Sequence, residues 1–318
     1  MTSRDGRGRQ PTLAHRAEFI LFRGLRGFVS LVPERLALAV AAVLGTVAGS
    51  VLRIRRADVD RHLEWAFPDW DRRRRDRVAR ASYRHLAREA VMLFRLGGWS
   101  SERVRERTEV LGLDAVRAAV DDRGGALLLT GHLGNWEIGG AALAAHGVPI
   151  DVVAKGMANP DFERELFGAR EGLGMRVVEM GDAPRRVLRA LRRGRVVAIV
   201  GDQNAHRNGV FVPFFGRLAA SARGPGTFAL RTGVPVFVGF GVRRPGRRQT
   251  YRVRLEPLST EPTGDFEHDL EAFTAAYMAA VEEAARAHPE QYFWQHKRWK
   301  TRPPEEPLGA HPVQHDEH

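Results

Sequence analysis

The stretch Gly131-His132-Leu133-Gly134-Asn135-Trp136-Glu137 brings together the residue types that acid–base chemistry needs. It follows a short apolar run at 126–130 and leads into a helical pattern. Loops at the carboxyl ends of parallel strands are where open α/β sheets place their sites. His132 is the side chain here whose unperturbed pKa suits general-base work near neutrality. Glu137, five positions on, is the candidate to hold its far ring nitrogen and stabilise the imidazolium. That is a base and an orienter without a protein nucleophile, which fits direct acyl transfer to an incoming hydroxyl. The same residues also read as a structural histidine beside a helix start with a capping glutamate. Metal binding has little support, because the two-histidine metalloprotease spacing is absent and the 318 residues contain no cysteine. A disulfide framework, a catalytic thiol and an acyl-cysteine intermediate are excluded for the same reason.

The elements that must position this loop follow from the hydrophobic pattern. Apolar runs at 126–130, 150–154, 175–179, 196–200 and 236–242 read as strands, and helical patterns at 160–172 and 184–193 lie between them. Such alternation implies crossover units and a mainly parallel sheet covered on both faces. In 251–256, Tyr251, Val253 and Leu255 alternate with Arg252, Arg254 and Glu256, so this strand has one wet face and belongs antiparallel or near an edge. A long helix is expected over about 265–288, with Leu270, Phe273, Tyr277, Val281 and Ala284 at helical spacing. The first 110 residues read as helical, including a charged helix at 71–95 whose Arg72–Arg75 run is either a solvated face or a phosphate contact. The expected fold is α/β: a mainly parallel central sheet flanked by helices, with an N-terminal helical membrane-associating region. The expected division is a disordered leader at 1–14, the basic helical region at 15–110, a catalytic region at 111–302 that forms one domain with those helices, and a disordered tail at 303–318.

The charge is concentrated in that first region. The chain has 50 Lys and Arg against 38 Asp and Glu, a net +12, and only residues 155, 297 and 300 are lysine. The first 100 residues hold 20 arginines against 10 acids, so they carry +10 of the excess, and the remainder is almost neutral. Within them, residues 36–52 form an uncharged run of seventeen, at the lower limit for a bilayer span, and read either as a span or as a buried or membrane-apposed helix. The preceding stretch sets Phe19, Ile20, Leu21, Phe22, Phe28 and Val29 among Arg16, Arg23 and Arg26, a pattern suited to a lipid interface or to an ordinary surface helix. A mean hydropathy of −0.32 excludes a polytopic membrane protein. No secretory signal is evident in the polar first ten residues.

Three further segments join the His132 loop. Gly201-Asp202-Gln203-Asn204, Gly209-Val210-Phe211-Val212-Pro213-Phe214-Phe215-Gly216 and the aromatic, cationic block from His288 to Lys300 follow it in order. Together the four resemble the lipid A biosynthesis (late, lauroyl-type) acyltransferases within the lysophospholipid acyltransferase superfamily, over about residues 15–302. The resemblance implies an enzyme that moves a fatty acyl chain from acyl carrier protein, or from acyl-CoA, to a hydroxyl of a glycolipid, with no other cofactor. It implies His132 and Glu137 as the catalytic pair. Asn135, Lys155, Asp202, Gly209, Phe211 and Arg298 are the implied substrate-binding residues. Lys155 stands where the family usually has an arginine, and supplies charge without a bidentate fork. Asp202 either organises the site or caps the 204–209 loop, and Phe211, Phe214 and Phe215 shape a groove or pack in the core. Backbone amides at 221–226, where a helix is expected to begin, are candidates to hold a phosphate or oxyanion. The implied partners are membrane lipids, a glycolipid acceptor and acyl carrier protein. The implied place is the cytoplasmic face of the inner membrane, held peripherally or by one embedded helix. A lipid A precursor is the first acceptor reading, and a phosphatidylinositol mannoside-type lipid the alternative. A nucleic-acid-binding protein would need aromatic stacking platforms or a binding module, and none stands out. A membrane scaffold leaves His132 and Glu137 unexplained.

Overall fold

The structure, a computed structural model, describes residues 12–246 and 248–303. Most of the expected leader and tail therefore lies outside the described residues, and the first helix already begins at Leu13.

Eleven α-helices and nine strands are described. The N-terminal helices are α1 (Leu13–Leu31), α2 (Glu34–Thr46), α3 (Arg56–Ala66), α4 (Arg72–Leu96) and α5 (Ser101–Arg107). Then come β1 (Thr108–Leu111), α6 (Leu113–Arg123), β2 (Ala126–Thr130), α7 (Trp136–Ala145), β3 (Ile150–Ala154), α8 (Pro160–Gly172), β4 (Arg176–Glu179), α9 (Ala183–Leu191) and β5 (Val196–Val200). A hairpin of β6 (Val210–Phe214) and β7 (Arg217–Ser221) precedes α10 (Arg223–Thr232), β8 (Val236–Arg243), β9 (Tyr251–Pro257) and α11 (Phe266–Ala287).

Seven strands form one sheet in the order β1-β9-β8-β2-β5-β3-β4. Strands β8, β2, β5, β3 and β4 run parallel, as the alternation of strand and helix patterns predicts. β9 is antiparallel to β8 and lies one place from the edge, with β1 outside it. Its alternating pattern is explained by this position, since Tyr251, Val253 and Leu255 are buried while Arg252 and Arg254 face solvent. β2 is buried on both faces: Leu127 and Leu129 join a core built by α3, α9, α10, α11 and the hairpin, and Ala126 and Leu128 join a second core under α6 and α7. Two elements were not visible as strands in the sequence, namely β1 and the β6–β7 hairpin.

The uncharged run at 36–52 is α2 followed by a π-helical turn at Val47–Val51. Its Ala37, Ala41, Ala42, Gly45 and Gly49 are buried, while Leu36, Val40, Val43, Leu44, Val51 and Leu52 are exposed. The glycines explain the packing: a Cβ at Gly45 would lie 2.5 Å from the Tyr83 carbonyl oxygen, and one at Gly49 2.4 Å from the Tyr83 ring. Only glycine lets α2 approach α4 this closely. The segment Glu34–Val51 is long and apolar enough to cross a bilayer, yet one of its faces is covered by protein. α1 presents Leu13, Ile20, Leu21, Leu25, Phe28 and Leu31 outward and is anchored by Phe22, whose ring packs on Phe94 of α4 and Phe162 of α8. In the Arg72–Arg75 run of α4, Arg72, Arg73 and Arg74 are exposed, Arg74 stacks 4.0 Å over Trp70, and the half-buried Arg75 lies 3.6 Å from Glu64.

Candidate active site

The register of the sheet creates the site. Thr130 at the end of β2 pairs with Val200 at the end of β5, so residues two positions beyond each strand emerge side by side. Those residues are His132 and Asp202. His132 Nδ1 lies 2.6 Å from Asp202 Oδ1, and the His132 backbone N–H donates to Oδ2 at 2.9 Å. Asp202 is buried, and the Tyr292 hydroxyl also hydrogen-bonds to it. On α11, the Tyr277 hydroxyl donates to the Thr130 carbonyl at 2.5 Å and accepts from the Gly201 N–H at 3.0 Å, tying the two strand ends together.

The turn after His132 is held by glycine geometry and by the C-terminal segment. Gly134 has φ +62°, and a Cβ there would lie 2.2 Å from the Gly241 carbonyl oxygen. The Gly134 N–H donates to Gln291 O at 3.0 Å, the Asn135 N–H to Gly241 O at 2.8 Å, and the Phe293 N–H to His132 O at 3.0 Å. Asn135 then caps α7, its Oδ1 accepting from the Ile138 N–H at 2.9 Å.

This arrangement corrects the pairing expected from spacing. Glu137 does not hold the imidazole; its carboxylate is gripped by Arg170 of α8, with Nε and Nη2 at 2.9 and 2.5 Å. Helical rotation explains this, because α7 starts at Trp136 and turns Glu137 toward α8. Asp202 is the group on His132.

The electrostatics follow. Burial disfavours the His132 imidazolium, but the Asp202 charge and hydrogen bond outweigh it and raise the pKa above the ordinary 6.5. Burial works against ionised Asp202 as well, and the His132 partner, with Arg298 nearby, still draws its pKa below the usual carboxylate value. With Nδ1 paired to Asp202, Nε2 is the free base position. The Gln203 side-chain amide lies 3.2 Å from it. The loop carrying Asp202 and Gln203 is braced by His296, which accepts from the Asn204 N–H at 3.0 Å; burial pushes the His296 pKa down to about 4, so it stays neutral.

Two cavities meet at His132, Trp136 and Glu137. The larger, about 380 Å³, runs between α7 and the sheet, past Gly139, Gly140, Leu143, Val152 and Gly239. A Cβ at Gly139 would meet nothing within 4 Å. The smaller, about 170 Å³, lies under α4 beside Leu86, Ala90, Leu93 and Phe293.

The expected substrate-binding residues separate into two groups. Lys155 is exposed on the rim of the larger cavity, and Asn135 borders the smaller one while capping α7. Gly209 and Phe211 belong to the hairpin region and line neither cavity. Arg298 is buried behind Asp202, with Nη1 donating to Ala220 O at 2.6 Å and Nη2 to Ser221 Oγ, so it braces β7 and lines neither of these cavities. Gln203, Arg170 and Tyr277 were missed as site residues. Gln203 sits inside the Gly201–Asn204 motif, which is a usable signal; Arg170 and Tyr277 carried none, since both act through tertiary packing. Among the described residues no cluster of His, Asp and Glu suited to a metal ion occurs.

The family of bacterial lipid A biosynthesis acyltransferases matches this chain over residues 7–301. The chain belongs to this family. It is similar to the lipid A biosynthesis lauroyltransferase of Escherichia coli (strain K12), at 27% identity over 263 residues, 82% of this chain and 84% of that one. The palmitoleoyltransferase of the same organism is 27% identical over 266 residues, 82% and 83% of the two chains. A phosphatidylinositol mannoside acyltransferase of Mycolicibacterium smegmatis is 30% identical over 165 residues, and that match spans about half of each chain, 51% and 53%. This member of the lipid A biosynthesis acyltransferase family is accordingly an O-acyltransferase with an α/β fold.

Proposed function

We propose that the enzyme transfers a fatty acyl chain from a thioester, on acyl carrier protein or coenzyme A, to a hydroxyl of a glycolipid, with His132 as general base and Asp202 as its partner. A lipid A precursor is the first acceptor to test, because the lipid A relatives match four-fifths of the chain. The observation that carries the reading is the buried Asp202 on Nδ1, which leaves Nε2 at the meeting point of two cavities. The acyl chain occupies the larger cavity, where glycines stand in place of side chains, and the acceptor approaches from the smaller one.

In the reaction, the acceptor hydroxyl displaces the Gln203 amide from Nε2 and gives up its proton there as its oxygen attacks the thioester carbonyl. Collapse of the tetrahedral adduct breaks the C–S bond, and the imidazolium returns the proton to the leaving thiolate. An ester and a thiol result, so the proton account closes. Base assistance of this kind contributes about 10²–10⁴-fold. Asp202 holds the tautomer and stabilises the imidazolium without accepting the proton.

The enzyme works at a membrane surface, on the cytoplasmic side where thioester donors are made. This reading is supported by the outward apolar residues of α1 and α2, of which Leu13, Ile20, Leu21 and Leu31 are at least 70% exposed. Arg185, Arg189, Arg192 and Arg193 surround one surface depression at α9, which suits an acidic donor carrier.

The test is transfer of a labelled acyl chain from acyl carrier protein to a lipid A precursor by wild type and His132→Ala. Loss of at least about 10²-fold in the variant is expected, and undiminished transfer refutes the base assignment. A phosphatidylinositol mannoside run in parallel decides the acceptor class.

A further inference from the structure

Glu89 of α4 is a buried carboxylate that the proposed reaction does not use. Three donors converge on it: Asn135 Nδ2 at 2.8 Å, Gln249 Nε2 at 2.9 Å and the Tyr251 hydroxyl at 2.7 Å. One helical turn earlier, His85 sets Nε2 3.3 Å from the Gly134 carbonyl oxygen, and its buried Nδ1 has no hydrogen-bond partner and lies 3.6 Å from Glu89 Oε1. The pair therefore grips Gly134 and Asn135, two adjacent residues of the turn that begins at His132. Asn135 cannot turn its amide over, because its Oδ1 is committed to the Ile138 N–H. The next residue, Trp136, lays its ring edge-on against His132 with centroids 4.8 Å apart.

We propose that Glu89 is a positioning residue for acyl transfer: its carboxylate, together with His85, fixes the Gly134–Asn135 turn and so the placement of the His132 ring. The inference rests on His132 acting as the base. A capping asparagine needs no buried carboxylate behind it, and an ion in this place costs free energy that an apolar side chain would not. The carboxylate does what a neutral group cannot: it accepts three hydrogen bonds at once, one from a side chain whose orientation is locked. Placement matters here, because an error of about 1 Å at a reacting group costs about 10²-fold in rate.

The ionisation of Glu89 gives the proposal its own signature. Burial pushes its pKa up to about 7, against the three donors and the nearby Arg243 charge. The groups facing it are His85 and Arg88 of α4, Asn135 at the start of α7, Arg243 of β8, and Gln249 and Tyr251 at β9. His85 is kept neutral by burial, with a pKa of about 4. As pH falls through about 7, Glu89 takes a proton and one donor loses its acceptor; His132, whose pKa the Asp202 charge and hydrogen bond raise, takes up a second proton on the acid side. The acid side of the wild-type kcat profile therefore carries two protonations, that of Glu89 and that of His132.

The experiment measures kcat, both KM values and the pH profile for wild type, Glu89→Gln, Tyr251→Phe and His132→Ala. Glu89→Gln is expected to lower kcat about 10- to 100-fold with each KM within about 2-fold, and to reduce the acid limb to one proton. Tyr251→Phe removes one donor from the carboxylate, raises its pKa and moves the acid limb to higher pH. A one-proton limb in wild type, an unchanged kcat in Glu89→Gln, or a rise in KM alone overturns the proposal. Wild type and Tyr251→Phe keep the test decisive if Glu89→Gln does not fold. Full activity in His132→Ala instead refutes the base assignment, whereas an inactive His132→Ala beside an unaffected Glu89→Gln refutes the positioning role alone.

Discussion

Replacing Asp202 with asparagine should abolish most of the catalysis while barely changing the shape of the site. Asp202 uses one oxygen on the His132 backbone N–H and the other on Nδ1. A backbone N–H can only donate, so the single oxygen of the substituted amide must stay on it. The new NH₂ group then faces Nδ1 and forces that nitrogen to be an acceptor. The ring proton moves to Nε2, where it blocks the lone pair that should receive the hydroxyl proton. The loss is the whole base contribution, about 10²–10⁴-fold in kcat, equivalent to about 2.7–5.5 kcal/mol of barrier. Worked triads in unrelated proteases behave this way when the acid becomes an amide. The assay is single-turnover acyl transfer at saturating donor, with Glu137→Gln alongside. Because Glu137 is held by Arg170 and not by His132, its variant should retain kcat within about 10-fold. An Asp202→Asn enzyme within a factor of ten of wild type, or a Glu137→Gln enzyme crippled to the same degree, refutes the pairing.

Other outcomes follow from the same geometry. The raised His132 pKa means the base is unprotonated only above a value higher than 6.5, so kcat should climb with pH through that value and then level; a profile flat from about pH 5 to 8 contradicts this. Gly139→Leu puts a side chain into the empty part of the larger cavity, and should shift preference to shorter acyl donors at least about 10-fold in kcat/KM, read by competition between C12 and C16 thioesters. Gly134→Ala forces a Cβ against the Gly241 carbonyl and a left-handed backbone, and should cost about 1–3 kcal/mol of stability by chemical denaturation as well as activity. Leu21→Glu with Phe28→Glu should release the protein from vesicles that hold wild type even in about 1 M salt; wild type released by salt alone would mark the contact as purely electrostatic.

The fold was legible where one segment determines its own pattern. The parallel strands stood out as buried apolar runs, and β9 as an alternating one. The site loop was legible because Gly, His and Asn cluster at a strand end. What spacing within one segment did not reveal was the partner of His132, since Asp202 reaches it through the Thr130–Val200 register, seventy residues away in sequence. The hairpin escaped for a local reason. Its turn places Phe215 at φ +51° before Gly216 at φ +71°, and a bulky aromatic is the last residue expected in that conformation. The resemblance implied Arg298 as a substrate contact, yet its block closes the site from behind: residues 291–293 clasp the His132 loop through main-chain bonds. The run at 36–52 was ambiguous for a different reason. Hydropathy does not distinguish lipid from protein as the covering medium, and only the glycine contacts with Tyr83 show that one face is protein.

Proton NMR of the His132 ring distinguishes Asp202 from Glu137 as the group that holds the imidazole. Wild type should show a strongly downfield Nδ1 proton, retained in Glu137→Gln and absent in Asp202→Asn. A signal that survives in Asp202→Asn and disappears in Glu137→Gln would contradict the Asp202 pairing.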